Sequence, residues 1–343
     1  MKVFEVRAPH EASLVERDTP APAPGEVLVK VAFVGICGSD MHILHGDNAF
    51  VRYPRVIGHE FSGTVAALGD DVTGWTEGER VCVDPVISCG TCYPCRINRP
   101  NVCRTLSVIG VHRDGGFEQY VRVPAANLYR VPESIPLDQA ALVEPYSIAS
   151  NVLSNMGVHA GDSLLIVGAG VIGMTVLQVA RALGIERITV ADILDDRLDV
   201  ARELGATHTI NSAQDDLEAR VDALTDGEGM NLIVDAACHP ALLPQMVRMA
   251  SAAGRLGLLG FSSVPSELVQ LEVIKKELTL VGSRLNSRQF PTVIELLETG
   301  RLDASRLISH RMPFEAMPEA LSLIEQHPEQ TRKVLIEIDT TLE

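Results

Sequence analysis

The chain has 343 residues, a formal net charge of −16 and 46% hydrophobic residues, a length beyond one ordinary core with apolar material for two. The negative balance repels phosphate backbones and anionic lipid surfaces, and the basic residues form no run, so nucleic acid and membranes are excluded as expected partners. No stretch approaches the roughly eighteen uninterrupted apolar residues of a membrane span, and the N-terminal MKVFEVRAPHEASLVERD carries charges where a signal peptide needs an apolar run, so a cytoplasmic protein is expected.

In chain order, the first 150 residues hold β-branched runs punctuated by Gly, Pro and Asp: VLVKVAFVGI (27–36), GTVAALG (63–69), RVCVDPV (80–86) and EQYVRVP (118–124). They predict a strand-rich, irregular domain. Near its start lie Cys37-Gly38-Ser39-Asp40-Met41-His42 and Gly58-His59-Glu60. The Cys37 thiolate and the His59 imidazole suit Zn²⁺, and a catalytic zinc takes three protein ligands and keeps one position open. The plainer reading of each alone is a small buried hydrophobe or a satisfied polar residue.

Cys89, Cys92, Cys95 and Cys103 follow at the spacing C-x2-C-x2-C-x7-C, with turn formers Gly90, Pro94, Asn98, Pro100 and Asn101 between them. So tight a cluster can aim four sulfurs at one tetrahedral Zn²⁺, and with every ligand position filled by protein that metal is structural. The remaining Cys82 and Cys238 are scattered and read as buried and inert.

At Ser163 the pattern changes to apolar strands alternating with amphipathic helices: SLLIVGA, a helix over about 171–183, RITVAD, a helix over about 197–204, THTI, then NLIVDAA, RLGLLG and LTLVGSR. This predicts a parallel sheet covered on both faces. Gly168, Gly170 and Gly173, with Val171 and Ile172 between them, form G-x-G-x-x-G at the strand-to-helix turn. The first glycine permits the turn, the second admits a pyrophosphate and the third lets helix pack on strand. Asp192 ends the next strand, where its carboxylate accepts hydrogen bonds from ribose hydroxyls and repels a 2′-phosphate, favouring NAD over NADP. Arg197 is either an adenine-stacking residue or an ordinary helix-surface one. Asp235 and Gly260 fall at the carboxyl ends of later strands, where a doubly wound sheet opens its crevice. After about residue 290 one helix (PTVIELLETG) and a final strand (KVLIEI) remain and are expected to complete the first domain.

CGSDMH, YPRVIGHEFSG, the four-cysteine lobe and GAGVIG together resemble the zinc-dependent medium-chain dehydrogenase/reductases, the alcohol and polyol dehydrogenase superfamily. VDPVISCGTCYPC, SVIGVHRDGGF, IVDAACHP, GFSSVPSE and SRLN are similar to its branch of starvation-sensing zinc dehydrogenases and hexonate (L-gulonate or L-galactonate) 5-dehydrogenases. The resemblance implies an α/β protein: a GroES-like β-rich catalytic domain over 1–150, completed by 288–343, and a Rossmann doubly wound sheet over 151–287. It implies two zinc ions per chain and NAD, with Cys37 and His59 as catalytic ligands, Glu144 in the third place or Glu60 in exchange with it, and Asp40 orienting His59. Ser39 would accept the substrate's hydroxyl proton and His42 pass it to solvent. Arg284, near nicotinamide and substrate, and His112 and Arg113 are the implied substrate contacts, for a sugar-acid hydroxyl in a homodimer or homotetramer. The alternatives are a polyol or L-threonine 3-dehydrogenase and, from another class, an NAD-binding metabolite sensor without turnover.

Overall fold

The computed structural model describes residues 1–339. The chain divides into two compact units, Pro145–Leu285 and a discontinuous one made of Met1–Glu144 with the segment from Asn286 onward. The first division falls within the helix Val143–Met156, and 340–343, at the end of the expected 288–343 segment, lie outside the described residues.

The discontinuous unit is built on Glu26–Gly35, a ten-residue strand with all but two of its residues buried. It pairs antiparallel with Glu60–Leu68, Tyr120–Pro124 and Lys333–Glu337. The sheet runs Leu128–Arg130, Arg80–Val83, Glu60–Leu68, Glu26–Gly35, Lys333–Glu337, Ile308–Pro313, with Tyr120–Pro124 off that path. Lys2–Ala8 pairs with Glu11–Glu16 and Arg55–Val56 in a smaller sheet. Phe4, Val29, Phe61, Phe117 and Phe314 share one core.

The C-terminal segment is richer than one helix and one strand. It adds Ile308–Pro313 and Met317–Gln326, whose mixed burial lacks the continuous apolar run that marked KVLIEI. The run RVCVDPV breaks into Arg80–Val83 and Val86–Ile87, because proline at 85 supplies no ladder N–H.

The contiguous unit holds a six-stranded, wholly parallel sheet in the order His208–Asn211, Arg187–Asp192, Ser163–Val167, Met230–Asp235, Ala250–Leu258, Thr279–Gly282. The order reverses between Ser163–Val167 and Met230–Asp235, the switch point where such sheets open a ligand crevice. Ser163–Val167 is buried throughout, as a strand covered on both faces must be. Among the described residues no helix is long and apolar enough to cross a membrane.

Candidate active site

The cysteine lobe is shaped by two left-handed turns, Gly90 (φ 73°) and Asn98 (φ 58°), residue types that tolerate that region. Cys92 caps the one-turn helix Tyr93–Arg96 that carries Cys95. The four ligand sulfurs lie within 4.8 Å of one another, with Cys92 Sγ 3.4 Å from Cys95 Sγ and 3.8 Å from Cys103 Sγ. Sulfurs about 2.3 Å from a tetrahedral zinc stand about 3.8 Å apart, so the donor set fits that ion. Backbone N–H groups of Cys89 and Thr105 donate to Cys103 Sγ, and that of Cys92 to Cys89 Sγ. The Thr91 hydroxyl and neighbouring N–H groups pull the Cys89 thiol down to about 5, towards the thiolate that binds metal.

The second cluster forms where the helix Gly38–His45 meets the start of Glu60–Leu68. Cys37 caps the helix, and its N–H donates to Asp40 Oδ2 at 2.9 Å. Asp40, fully buried, also accepts from the Gly58 N–H at 3.2 Å and stands 3.5 Å from His59 Nδ1. That leaves His59 Nε2 on the other side, 3.3 Å from Ser39 Oγ. One donor atom each of Cys37, His59 and Glu60 lie within 4.8 Å of one another. Burial opposes a charge on His59, yet the Asp40 carboxylate and then Cys37 push the imidazole well above its ordinary value. A pocket that favours positive charge beside a thiol, an imidazole and a carboxylate suits a dication.

Of the two glutamates left open for the third ligand, Glu60 is in that donor cluster and Glu144 is not. Glu144 is buried nearby, and burial pushes its carboxyl up to about 8, with His59 opposing and Glu60 adding to the rise. Lys333 escaped the sequence reading. Its ammonium is buried and donates to Glu60 Oε1 at 2.8 Å, Glu60 Oε2 at 2.6 Å and the Ile36 carbonyl at 3.0 Å. The signal was available only as a lysine opening the apolar strand KVLIEI.

In the contiguous unit the three glycines do different things. Gly168 has φ 105°, and a Cβ there would stand 2.6 Å from the Ala237 nitrogen. Gly173 packs so closely that a Cβ would be 1.9 Å from the Gly168 carbonyl. Gly170 caps the helix Val171–Ala182, and a Cβ there would meet nothing within 4 Å; open space before free helix N–H groups fits a pyrophosphate. Asp192 is buried, its Oδ2 accepting from Ala169 N–H at 2.7 Å and its Oδ1 from Ile193 and Leu194 N–H at 2.8 and 3.0 Å. Arg197 lies 3.9 Å from it. Asp235 accepts from the Cys238 N–H at 2.8 Å, and a Cβ at Gly260 would stand 3.7 Å from its carboxylate.

Cys238, expected buried, is exposed, because the loop after Met230–Asp235 turns there through a left-handed φ of 57°. Cys82 is buried. The Arg284 guanidinium lies over the Phe261 ring at 5.4 Å. His112 Nδ1 accepts from Val108 N–H within its own loop, and exposed Arg113 faces Glu26, at the start of the strand Glu26–Gly35, at 3.9 Å. His42 is exposed on its helix.

Residues 23–133 match the alcohol dehydrogenase GroES-like domain and 171–299 the zinc-binding dehydrogenase domain. The starvation-sensing protein RspB of Escherichia coli K12 is 46% identical over 98% of this chain and 99% of its own. A solved RspB from E. coli CFT073, in complex with NADH, superposes with a TM-score of 0.95 at 45% identity, covering 98% of this chain and 99% of that one. More distant are L-threonine 3-dehydrogenase of Bacillus velezensis, 36% identical over 91% of this chain and 92% of its own, and L-galactonate-5-dehydrogenase of E. coli K12, 32% identical over 93% and 94%. The chain belongs to the zinc-binding, GroES-like alcohol dehydrogenase family, the zinc-dependent medium-chain dehydrogenase/reductases.

Proposed function

We propose that the chain oxidises a secondary hydroxyl of a small hydroxy carboxylate, with a hexonate of the L-gulonate or L-galactonate type as the leading substrate, using NAD and two zinc ions per chain. The observation that carries the reading is the donor cluster Cys37–His59–Glu60 with Ser39 3.3 Å from His59. When bound, zinc supplies Lewis acidity to the substrate oxygen and NAD accepts the hydride. Ser39 takes the hydroxyl proton and His42, exposed at the next turn of its helix, hands it to solvent. Asp40 orients His59 through Nδ1. The cysteine lobe is structural.

NAD is preferred because Asp192 keeps an anion where a 2′-phosphate would sit. Its Oδ1 already accepts two N–H groups and its Oδ2 one, so Oδ2 retains the lone pair for a ribose hydroxyl. The substrate class rests on chemistry shared by two relatives: threonine and galactonate are both hydroxy carboxylates. Arg284 is the first choice to receive the carboxylate and Arg113, which faces Glu26 at 3.9 Å, the second. L-Threonine is the second reading, favoured by the higher identity of that relative.

Metal analysis of the full chain and its Cys37→Ser variant, with NADH-absorbance assays over hexonates, threonine and neutral polyols, tests this. Expected are two zincs in wild type, one in the folded variant, and a loss of kcat/KM on Arg284→Ala that is larger for a hexonate than for the polyol of equal length. Two zincs in Cys37→Ser sink the metal assignment; equal losses on both substrates sink the carboxylate reading.

A further inference from the structure

Lys333 is the only lysine or arginine among the described residues that is buried. An ammonium has three donors, and here all three are engaged, two on Glu60 and one on the Ile36 carbonyl. Ile36 precedes Cys37 and Glu60 follows His59, so one cation ties together both segments that carry metal donors. Its place is set by the sheet, in which Lys333–Glu337 pairs with Glu26–Gly35 through Leu335 and Gly35. Gly35 completes the fit: a Cβ there would stand 2.3 Å from Glu60 Oε2 and 3.2 Å from Lys333 Cδ.

The surroundings are otherwise rich in acidic side chains: Asp40, Glu60 and Glu144 are buried and Cys37 is half-buried, with Lys333 the basic side chain buried beside them. Glu60 belongs to the donor cluster while both its oxygens are held by the ammonium, so metal and lysine compete for one carboxylate. Without the lysine, a buried carboxylate has the metal as its sole counter-charge.

We propose that Lys333 is a positioning residue for the catalytic metal: by holding both oxygens of Glu60 it keeps that carboxylate a weak, exchangeable ligand and preserves the coordination position that substrate needs. This rests on the metal reading above and goes beyond it, because it assigns the open position to a residue 273 positions from Glu60 in sequence. A merely structural lysine has the opposite signature, since its loss would loosen the site and the metal together.

The test uses the full chain loaded with cobalt(II), whose visible bands report coordination at the exchangeable site while the closed cysteine lobe gives a constant background. Imidazole is the probe of the open position. Wild type should shift its bands on adding imidazole. Lys333→Met should not, should release that cobalt to a chelator about tenfold more slowly or less readily still, the size typical of changes around a metal's ligands, and should lose turnover. Lys333→Arg should restore the imidazole response in part, and Lys333→Met/Glu60→Gln should restore it fully. A Lys333→Met protein that binds imidazole as wild type does, or that releases cobalt faster, overturns the proposal. If Lys333→Met alone does not fold, the double variant decides: a folded, imidazole-responsive protein supports action through Glu60, and one that fails to fold or to hold cobalt overturns it. A wild type that loads metal in the cysteine lobe alone refutes the underlying metal reading instead.

Discussion

Gly170 and Gly173 stand three residues apart, yet their surroundings demand different outcomes on substitution. At Gly170 the backbone is extended and a methyl would meet nothing within 4 Å, so Gly170→Ala should unfold within about 0.5 kcal/mol of wild type. It should lose at least about tenfold in NADH affinity, because the methyl occupies the approach of the pyrophosphate. Gly173→Ala drives a methyl to 1.9 Å from a backbone carbonyl and should cost about 3 kcal/mol of stability. Thermal unfolding with and without NADH, with a fluorescence titration, separates the two. Unaltered NADH binding by Gly170→Ala would remove the phosphate assignment. The strand-to-helix turn and the close packing at Gly173 were legible in the sequence because the motif sits between an apolar strand and a helix. That Asp192 also satisfies three backbone N–H groups was not, since those partners are fixed only when the turn closes.

Around Glu118 the elements have a charge problem of their own. Glu118 bridges to Val3 of the first strand just before Tyr120–Pro124. Burial first, and then the Asp114 carboxylate, push its carboxyl from 4.5 up to about 8, while Arg17 and Arg122 oppose. The folded chain therefore holds a proton that the unfolded chain releases near 4.5. Between about that pH and about 8 the folded state binds more protons, so this group's contribution to stability falls as pH rises through the window. Glu118→Gln should raise the unfolding midpoint by on the order of a few degrees at pH 8 and hardly at pH 4.5. An equal rise at both would show that titration of Glu118 is not the cause. The strands of the contiguous unit were readable from sequence because burial on both faces demands continuous apolar runs. Glu11–Glu16, with charges at both ends and no fully buried residue, offers no such run. Lys333 was hidden for a related reason: its partner lies in another strand, and local pattern carries no information on pairing at that range.

For the whole molecule, one unit is contiguous and the other is closed by its C-terminal segment, which supplies both a strand beside Glu26–Gly35 and the partner of Glu60. A chain ending at Leu285 lacks Ile308–Pro313, Met317–Gln326 and Lys333–Glu337. It leaves an edge of the central sheet unpaired and Glu60 without its counter-ion, a loss of several kcal/mol from the buried pair alone. The contiguous unit keeps all six strands and a core of Leu165, Ile210, Ile233 and Leu256. Truncation should therefore abolish metal retention by Cys37, His59 and Glu60 and turnover with it, while NADH binding by the contiguous unit persists. Fluorescence titration with NADH beside metal analysis of the truncated chain reads both. Loss of NADH binding would mean that the contiguous unit does not hold its fold without the segment that completes the other unit, and the two-unit account of stability would fail.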